Sequence, residues 1–288
     1  MIIVESASIT DKGKKRKTNE DALILEDALG LYVVADGMGG HRAGDLASRL
    51  VVTTIGDFIK KAKANEDSDH TADVDDTLSC EANLLLGSIR RSNQVVHEAS
   101  LANRSYRGMG STVSAVYFTE STLIAANVGD SPIYLVRDGK IKLLSVPHTF
   151  LEEQKALNPE KATKLGVEFR HVLTRAVGTE KSLKTDIYEI QCFRDDIVVI
   201  SSDGLNDKVP PQEILELTCN NRPDAACHKL VKLANDRGGD DNITVIVLKV
   251  KLVKNSRHKI NRFLALIKQN SFNILKKLKY RRTTKCQI

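Results

Sequence analysis

Five short acidic motifs hold the residues of this 288-residue chain best equipped for chemistry. They are Asn19-Glu20-Asp21 with Arg16 just before it, Asp36-Gly37-Met38-Gly39-Gly40, Gly129-Asp130-Ser131, Ser202-Asp203-Gly204, and Asp240-Asp241-Asn242. Taken singly, each reads as a turn, because aspartate caps the local backbone and glycine accepts positive φ. Taken together they say more. Each follows or adjoins a β-rich run, and Asp36 and Asp203 close strongly apolar ones (32–35 and 197–202). Carboxylates at strand ends converge on one rim. Hard divalent cations take oxygen ligands, and Mg²⁺ or Mn²⁺ sites use few carboxylates and keep several waters. Asp36, Asp203, Asp241 and the Gly37 carbonyl suit that need. Two such ions about 3.5–4 Å apart can share a water, lower its pKa and aim it in line at a phosphomonoester. The sequence holds no Cys-x₅-Arg loop, no Gly-x₄-Gly-Lys-Ser/Thr loop and no His-Glu-x-x-His helix, so thiol-phosphatase, P-loop and zincin chemistries lack their essential parts.

The elements that must position these residues follow from periodicity. Residues 2–9 and 22–35 read as strands, the latter as a hairpin closing near 27–30. Helical stretches at 43–64 and 81–103 flank a polar, acidic inter-helix loop. Residues 111–145 contain four short β-rich runs with the rhythm of an antiparallel meander. A polar, partly helical segment at 147–172 reads as a surface flap. Strands at 184–192 and 196–202, helices at 211–219 and 224–236 and a closing strand from 242 complete an α+β order with mostly antiparallel strands. The expected organisation is one catalytic domain over 1–253 and a tail over 254–288.

Charge is distributed unevenly. The net charge is +6, yet residues 254–288 carry eleven Lys/Arg and no acid, which leaves the first 253 with 32 cationic and 37 anionic side chains. An acidic body repels the phosphate backbone, so nucleic acid is not an expected partner. In the tail, Ile260, Phe263, Leu264, Ile267, Ile274, Leu275 and Leu278 recur at spacings of three and four among lysines and arginines, the pattern of a basic amphipathic helix. It suits docking to an anionic membrane surface or an acidic partner, and equally a helix folded back on the body or a solvated end. Five cysteines without a Cys-x-x-Cys pair read as reduced, mostly buried thiols. No apolar run approaches the ~20 residues of a membrane span, and the first residues lack a signal-peptide pattern. The expected location is the cytoplasm, with the tail as a peripheral membrane contact.

The ordered set Arg16-x-x-Asn-Glu-Asp21, Asp36-Gly-Met-Gly-Gly40, Gly108-Met-Gly-Ser-Thr112, Val128-Gly-Asp-Ser131, Leu173-Thr-Arg-Ala-Val-Gly178, Ser202-Asp-Gly204 and Asp241-Asn-Ile-Thr244 resembles the PPM/PP2C-type phosphatases, specifically their bacterial branch. The resemblance spans roughly residues 5–250. It implies a β-sandwich of two antiparallel sheets flanked by helix pairs, and a protein serine/threonine phosphatase opposing a bacterial Ser/Thr kinase. It further implies that Asp36 bridges two Mn²⁺ or Mg²⁺ ions, that Gly37, Asp203 and Asp241 complete their ligands, and that Asp130 with Asp203 holds a third, weaker ion. Glu20 and Asp21 would act through ion-bound waters, and Arg16 would clamp the substrate phosphate with its planar fork. Three departures stand out. Met38 occupies the place of a histidine proposed elsewhere in the family as general acid, which makes His41 the candidate for that role. Pro132 replaces an arginine, and Pro147-His148-Thr149 replaces the more usual Asp-His-Ser. A binding module that keeps only the fold, and a hydrolase of small phosphoesters, are the competing readings.

Overall fold

A computed structural model describes residues 2–39, 43–64, 74–163 and 165–253. Its eleven strands are β1 (Ile2–Asp11), β2 (Asp21–Glu26), β3 (Leu31–Met38), β4 (Gly110–Ser111), β5 (Val113–Phe118), β6 (Thr122–Val128), β7 (Ile133–Arg137), β8 (Lys140–Leu143), β9 (Asp186–Gln191), β10 (Ile197–Ser201) and β11 (Ile243–Val253). The helices are α1 (Ala43–Lys63), α2 (Cys80–Ala102), α3 (Phe150–Leu157), α4 (Pro159–Ala162), α5 (Asp203–Asn206), α6 (Pro211–Cys219) and α7 (Pro223–Asp236). One sheet runs β1-β11-β10-β7-β8; the other runs β2-β3-β5-β6-β9, with β4 beside β3. Every strand pairing between them is antiparallel.

The central strands read as unbroken apolar runs because both of their faces are covered. In β3, Tyr32 and Val34 point into the space between the sheets, where they meet Val198, Ile200, Ile246 and Leu248 of the other sheet. Leu31, Val33 and Ala35 point the opposite way, against Ala47, Val51 and Ile55 of α1 and Leu85 and Ile89 of α2. The second sheet repeats the arrangement, with Ile197, Val199 and Val245 packed on Ile214, Leu230 and Ala234 of α6 and α7. Four layers result, as the expected sandwich flanked by helix pairs requires.

The expected meander does not form. Residues 111–145 are two hairpins on different sheets, not a meander: β5–β6 belong to one sheet and β7–β8 to the other. The chain crosses between them at 129–132, where Gly129 takes φ +102° and Pro132 follows. Alternation reports that a strand has two faces, and it carries no information on which sheet receives the strand. The same crossing lifts Asp130 onto the rim. The thiols also divide differently from expectation, with Cys192 and Cys227 buried but Cys80 and Cys219 exposed.

Candidate active site

The carboxylates meet at one end of the sandwich, where β2, β3, the 129–132 crossing, the start of α5 and the loop before β11 come together. Asp21 and Asp36 face each other across the β2–β3 pair. Asp36 is fixed through its backbone: its N–H donates to Thr112 Oγ1 (3.0 Å), and its carbonyl accepts from Thr112 N–H (2.8 Å) and Ser111 Oγ (3.0 Å). Thr112 Oγ1 in turn lies 2.8 Å from Ser131 Oγ, beside Asp130. The Gly-Ser-Thr motif is thus a splint between the Asp36 strand and the Asp130 crossing.

Asp21 is almost wholly buried. One of its oxygens, Oδ2, accepts from Ser202 Oγ (2.8 Å) and Thr244 Oγ1 (2.6 Å), while Oδ1 has no hydrogen-bond partner among the described residues. Asp203 opens α5, and its buried Oδ1 is likewise unpartnered. Asp241 Oδ2 accepts from Arg16 Nη2 at 2.6 Å. Two glycines permit the close approach. A Cβ on Gly37 would overlap the Gly44 carbonyl at the start of α1, and one on Gly204 would overlap the Asn242 carbonyl. Glu20 lies against the first turn of α1, its Oε2 beside Gly44.

Like charges with little to balance them raise one another's proton affinity. Asp36 is pushed well above the usual carboxylate range by burial first and then by repulsion from Asp21, Asp203, Asp130 and Asp241. Burial, with repulsion from Asp203 and Asp241 and against the hydroxyl bonds of Thr244 and Ser202, takes Asp21 to about 7. Burial followed by repulsion from Asp203 takes Asp130 to about 7 as well. Unpartnered, buried carboxylate oxygens on converging aspartates fit hard divalent cations, which take oxygen ligands.

His171, which sequence reasoning passed over, closes this cluster. It caps the short 3₁₀ turn Val167–Arg170 of the flap, with Nδ1 3.6 Å from Asp203 Oδ2 and Nε2 3.6 Å from Asp207 Oδ2. Its pKa is raised to about 9, chiefly by the Asp203 carboxylate. Ligand atoms of Asp130, His171 and Asp203 all lie within 4.8 Å of one another. Only the flap's polarity hinted at such a residue, and polarity names no contact. Asn242, part of the Asp240-Asp241-Asn242 motif, has a positioning role that the motif did not name: it accepts from Glu20 N–H (2.8 Å) and donates to the Lys12 and Thr18 carbonyls (2.9 and 3.0 Å). Met38 pairs across β3–β4 with Gly110, and its methyl group packs over that glycine. His41, the candidate acid, lies outside the described residues, as does the 254–288 tail.

Residues 12–222 match the family model for protein phosphatase 2C. The chain belongs to the protein phosphatase 2C family. It is 31% identical over 253 residues to a serine/threonine phosphatase, stp, of Listeria monocytogenes, covering 86% of this chain and 96% of that protein. The solved Mycobacterium tuberculosis serine/threonine phosphatase PstP/Ppp superposes with a TM-score of 0.74 at 28% identity, covering 88% of this chain and all of that one. A PstP catalytic domain in complex with two manganese ions superposes with a TM-score of 0.73 at 27% identity, again over 88% and 100%.

Proposed function

We infer that this chain is a Mn²⁺- or Mg²⁺-dependent protein serine/threonine phosphatase acting on phosphorylated proteins. The observation that carries the inference is the convergence of five carboxylates on one rim, with buried oxygens of Asp21 and Asp203 left unpartnered. In this reading Asp36, the Gly37 carbonyl, Asp203 and Asp241 hold two ions, and Asp130 with Asp203 holds a third. Bound there, the ions supply an activated water and positive charge toward the phosphoryl oxygens.

The chain's own groups do the rest. Asp21, held through Oδ2 by Ser202 and Thr244, keeps its buried Oδ1 as a free acceptor for an ion-bound water. Glu20 is positioned by Asn242 through its N–H. The Arg16 guanidinium, already at the Asp241 edge, presents its remaining N–H groups to an incoming phosphate. Met38, with its methyl over Gly110, has no proton to give a leaving alkoxide. His41 remains the proposed donor, on the sequence alone.

Opposition to a Ser/Thr kinase is the corresponding biological role, supported by the serine/threonine phosphatases among the relatives. The 1–253 catalytic domain, the 254–288 tail as a contact for an anionic membrane or acidic partner, and a cytoplasmic location rest on sequence. Deleting 254–288 should leave aryl phosphate turnover intact and abolish sedimentation with anionic vesicles. The central test is direct. Purified full-length protein hydrolyses an aryl phosphate and a phosphothreonine peptide with Mn²⁺, and loses both with chelator or with Asp203→Asn. Activity retained under either condition overturns the reading.

A further inference from the structure

The loop between β1 and β2 carries five cations in six residues, Lys12, Lys14, Lys15, Arg16 and Lys17 around Gly13. Such a run is ordinarily a solvated face; here the five side chains are exposed, but the loop backbone is tied to the rim of the cleft and Arg16 and Lys17 line it. Asn242 donates to the Lys12 carbonyl at one end of the loop and to the Thr18 carbonyl at the other. Lys14 and Lys15 both donate their N–H groups to the Gly239 carbonyl (2.8 and 3.1 Å). A Cβ on Gly13 would overlap the Asp241 carbonyl, so the loop lies directly on the backbone of the Asp240–Asp241 turn.

Three of the five cations are already matched. Lys14 reaches Asp236 at 4.0 Å, Lys15 pairs with Asp240, and Arg16 pairs with Asp241. Lys12 and Lys17 are exposed and, among the described residues, have no acidic partner. Lys17 lines the cleft of about 190 Å³ that also takes Arg16, Thr18, Glu20 and Asn242. Two lysines without an acidic partner among the described residues therefore flank the loop that carries the phosphate clamp, on a body that is otherwise net acidic.

We propose that Lys17 and Lys12 form a substrate-recognition rim selecting phosphopeptides with an anion, either a carboxylate side chain or a second phosphate, within about three residues of the phosphoserine or phosphothreonine. An extended peptide advances about 3.3 Å per residue, so a lysine adjoining the clamp residue meets a side chain one to three positions away. The proposal rests on the phosphatase reading and adds a substrate class to it. Exposed ion pairs are individually weak, and the expected preference is about threefold per lysine. Such contacts are screened within about 8–10 Å at physiological salt, so the preference fades at high ionic strength.

The test compares kcat/KM for matched phosphothreonine peptides with alanine flanks, glutamate flanks on either side, or a second phosphothreonine. Wild type should favour one or more of the anionic peptides by about tenfold in low salt and lose the advantage near 0.5 M NaCl. K12Q/K17Q should bring that ratio close to one, while Lys229→Gln on α7 keeps it. The glutamate and double-phosphate arms separate the two sources of the anion. Fluorescence anisotropy of the same peptides on Asp203→Asn protein gives a readout independent of turnover and should rank them identically. A wild-type ratio near one, or a ratio unmoved by K12Q/K17Q, overturns the proposal. Absence of hydrolysis of every peptide and of aryl phosphate would instead overturn the phosphatase reading.

Discussion

Asp21→Asn should make the metal-free protein more stable at pH 8 while ruining its use of metal. The Asp21 carboxyl titrates near 7 in the folded chain against 3.8 in the open one, because burial penalises its charge. The folded state thus keeps a proton that the unfolded state releases between those two values. Stability from this group is fully present below pH 3.8 and is lost as pH rises through about 7. At about 1.4 kcal/mol per pH unit the gap amounts to roughly 4 kcal/mol of destabilisation at pH 8. Asparagine removes the charge but must still bury an amide, whose oxygen takes over the Ser202 and Thr244 hydroxyl bonds. About half the gain, or ~2 kcal/mol, should survive. For a domain of this size that raises Tm by about 4–8 °C. Differential scanning calorimetry in chelator at pH 8 and pH 5 measures it, with the gain at pH 5 less than half that at pH 8. Millimolar Mn²⁺ should reverse the ranking, since ligand binding stabilises only the chain that binds it well. An Asn variant no more stable than wild type at pH 8 in chelator, or a gain equal at both values, would refute the account of Asp21 as a charge held for a cation.

Metal uptake should release protons, because Asp21 and Asp130 (near 7) and Asp36 (higher) must ionise to serve a cation. Titration calorimetry of Mn²⁺ at pH 6.5 in two buffers of different ionisation enthalpy should show release of about one proton or more, with affinity rising toward pH 8. Gly204→Ala should weaken Mn²⁺ binding by about tenfold or more, since its Cβ would overlap the Asn242 carbonyl beside Asp241 and only backbone could yield; thermal shift against Mn²⁺ concentration reads it. Asp196→Ala should cost about 3–5 kcal/mol, seen in urea unfolding. It removes a buried bidentate pair with Arg137 (2.8 and 2.7 Å) and the acceptor of the Phe193 N–H, all remote from the cleft. Turnover of the protein that stays folded should hold within about twofold.

The sequence was enough to order the elements and to pick out the acids. Runs such as Leu31–Ala35 and Ile197–Ser201 have the length and β-branched content of strands covered on both faces, and each ends at or beside an aspartate that no core would otherwise accept. Motif order supplied the family. What those residues touch was hidden. That Ser202 and Thr244 converge on one oxygen of Asp21 depends on β2 and β11 meeting across 223 residues of chain. That His171 reaches Asp203 and Asp207 depends on how the flap folds back. The split of residues 111–145 between two sheets was equally invisible, because alternation is the same whichever sheet a strand joins. Local spacing fixes which side chains share a face, so sequence could nominate Asp36, Asp203 and Asp241. Burial and mutual repulsion are sums over everything packed nearby, so only the tertiary structure decided that Asp21 and Asp130 hold protons near neutrality and that, among the described residues, the Lys12 and Lys17 side chains have no acidic partner.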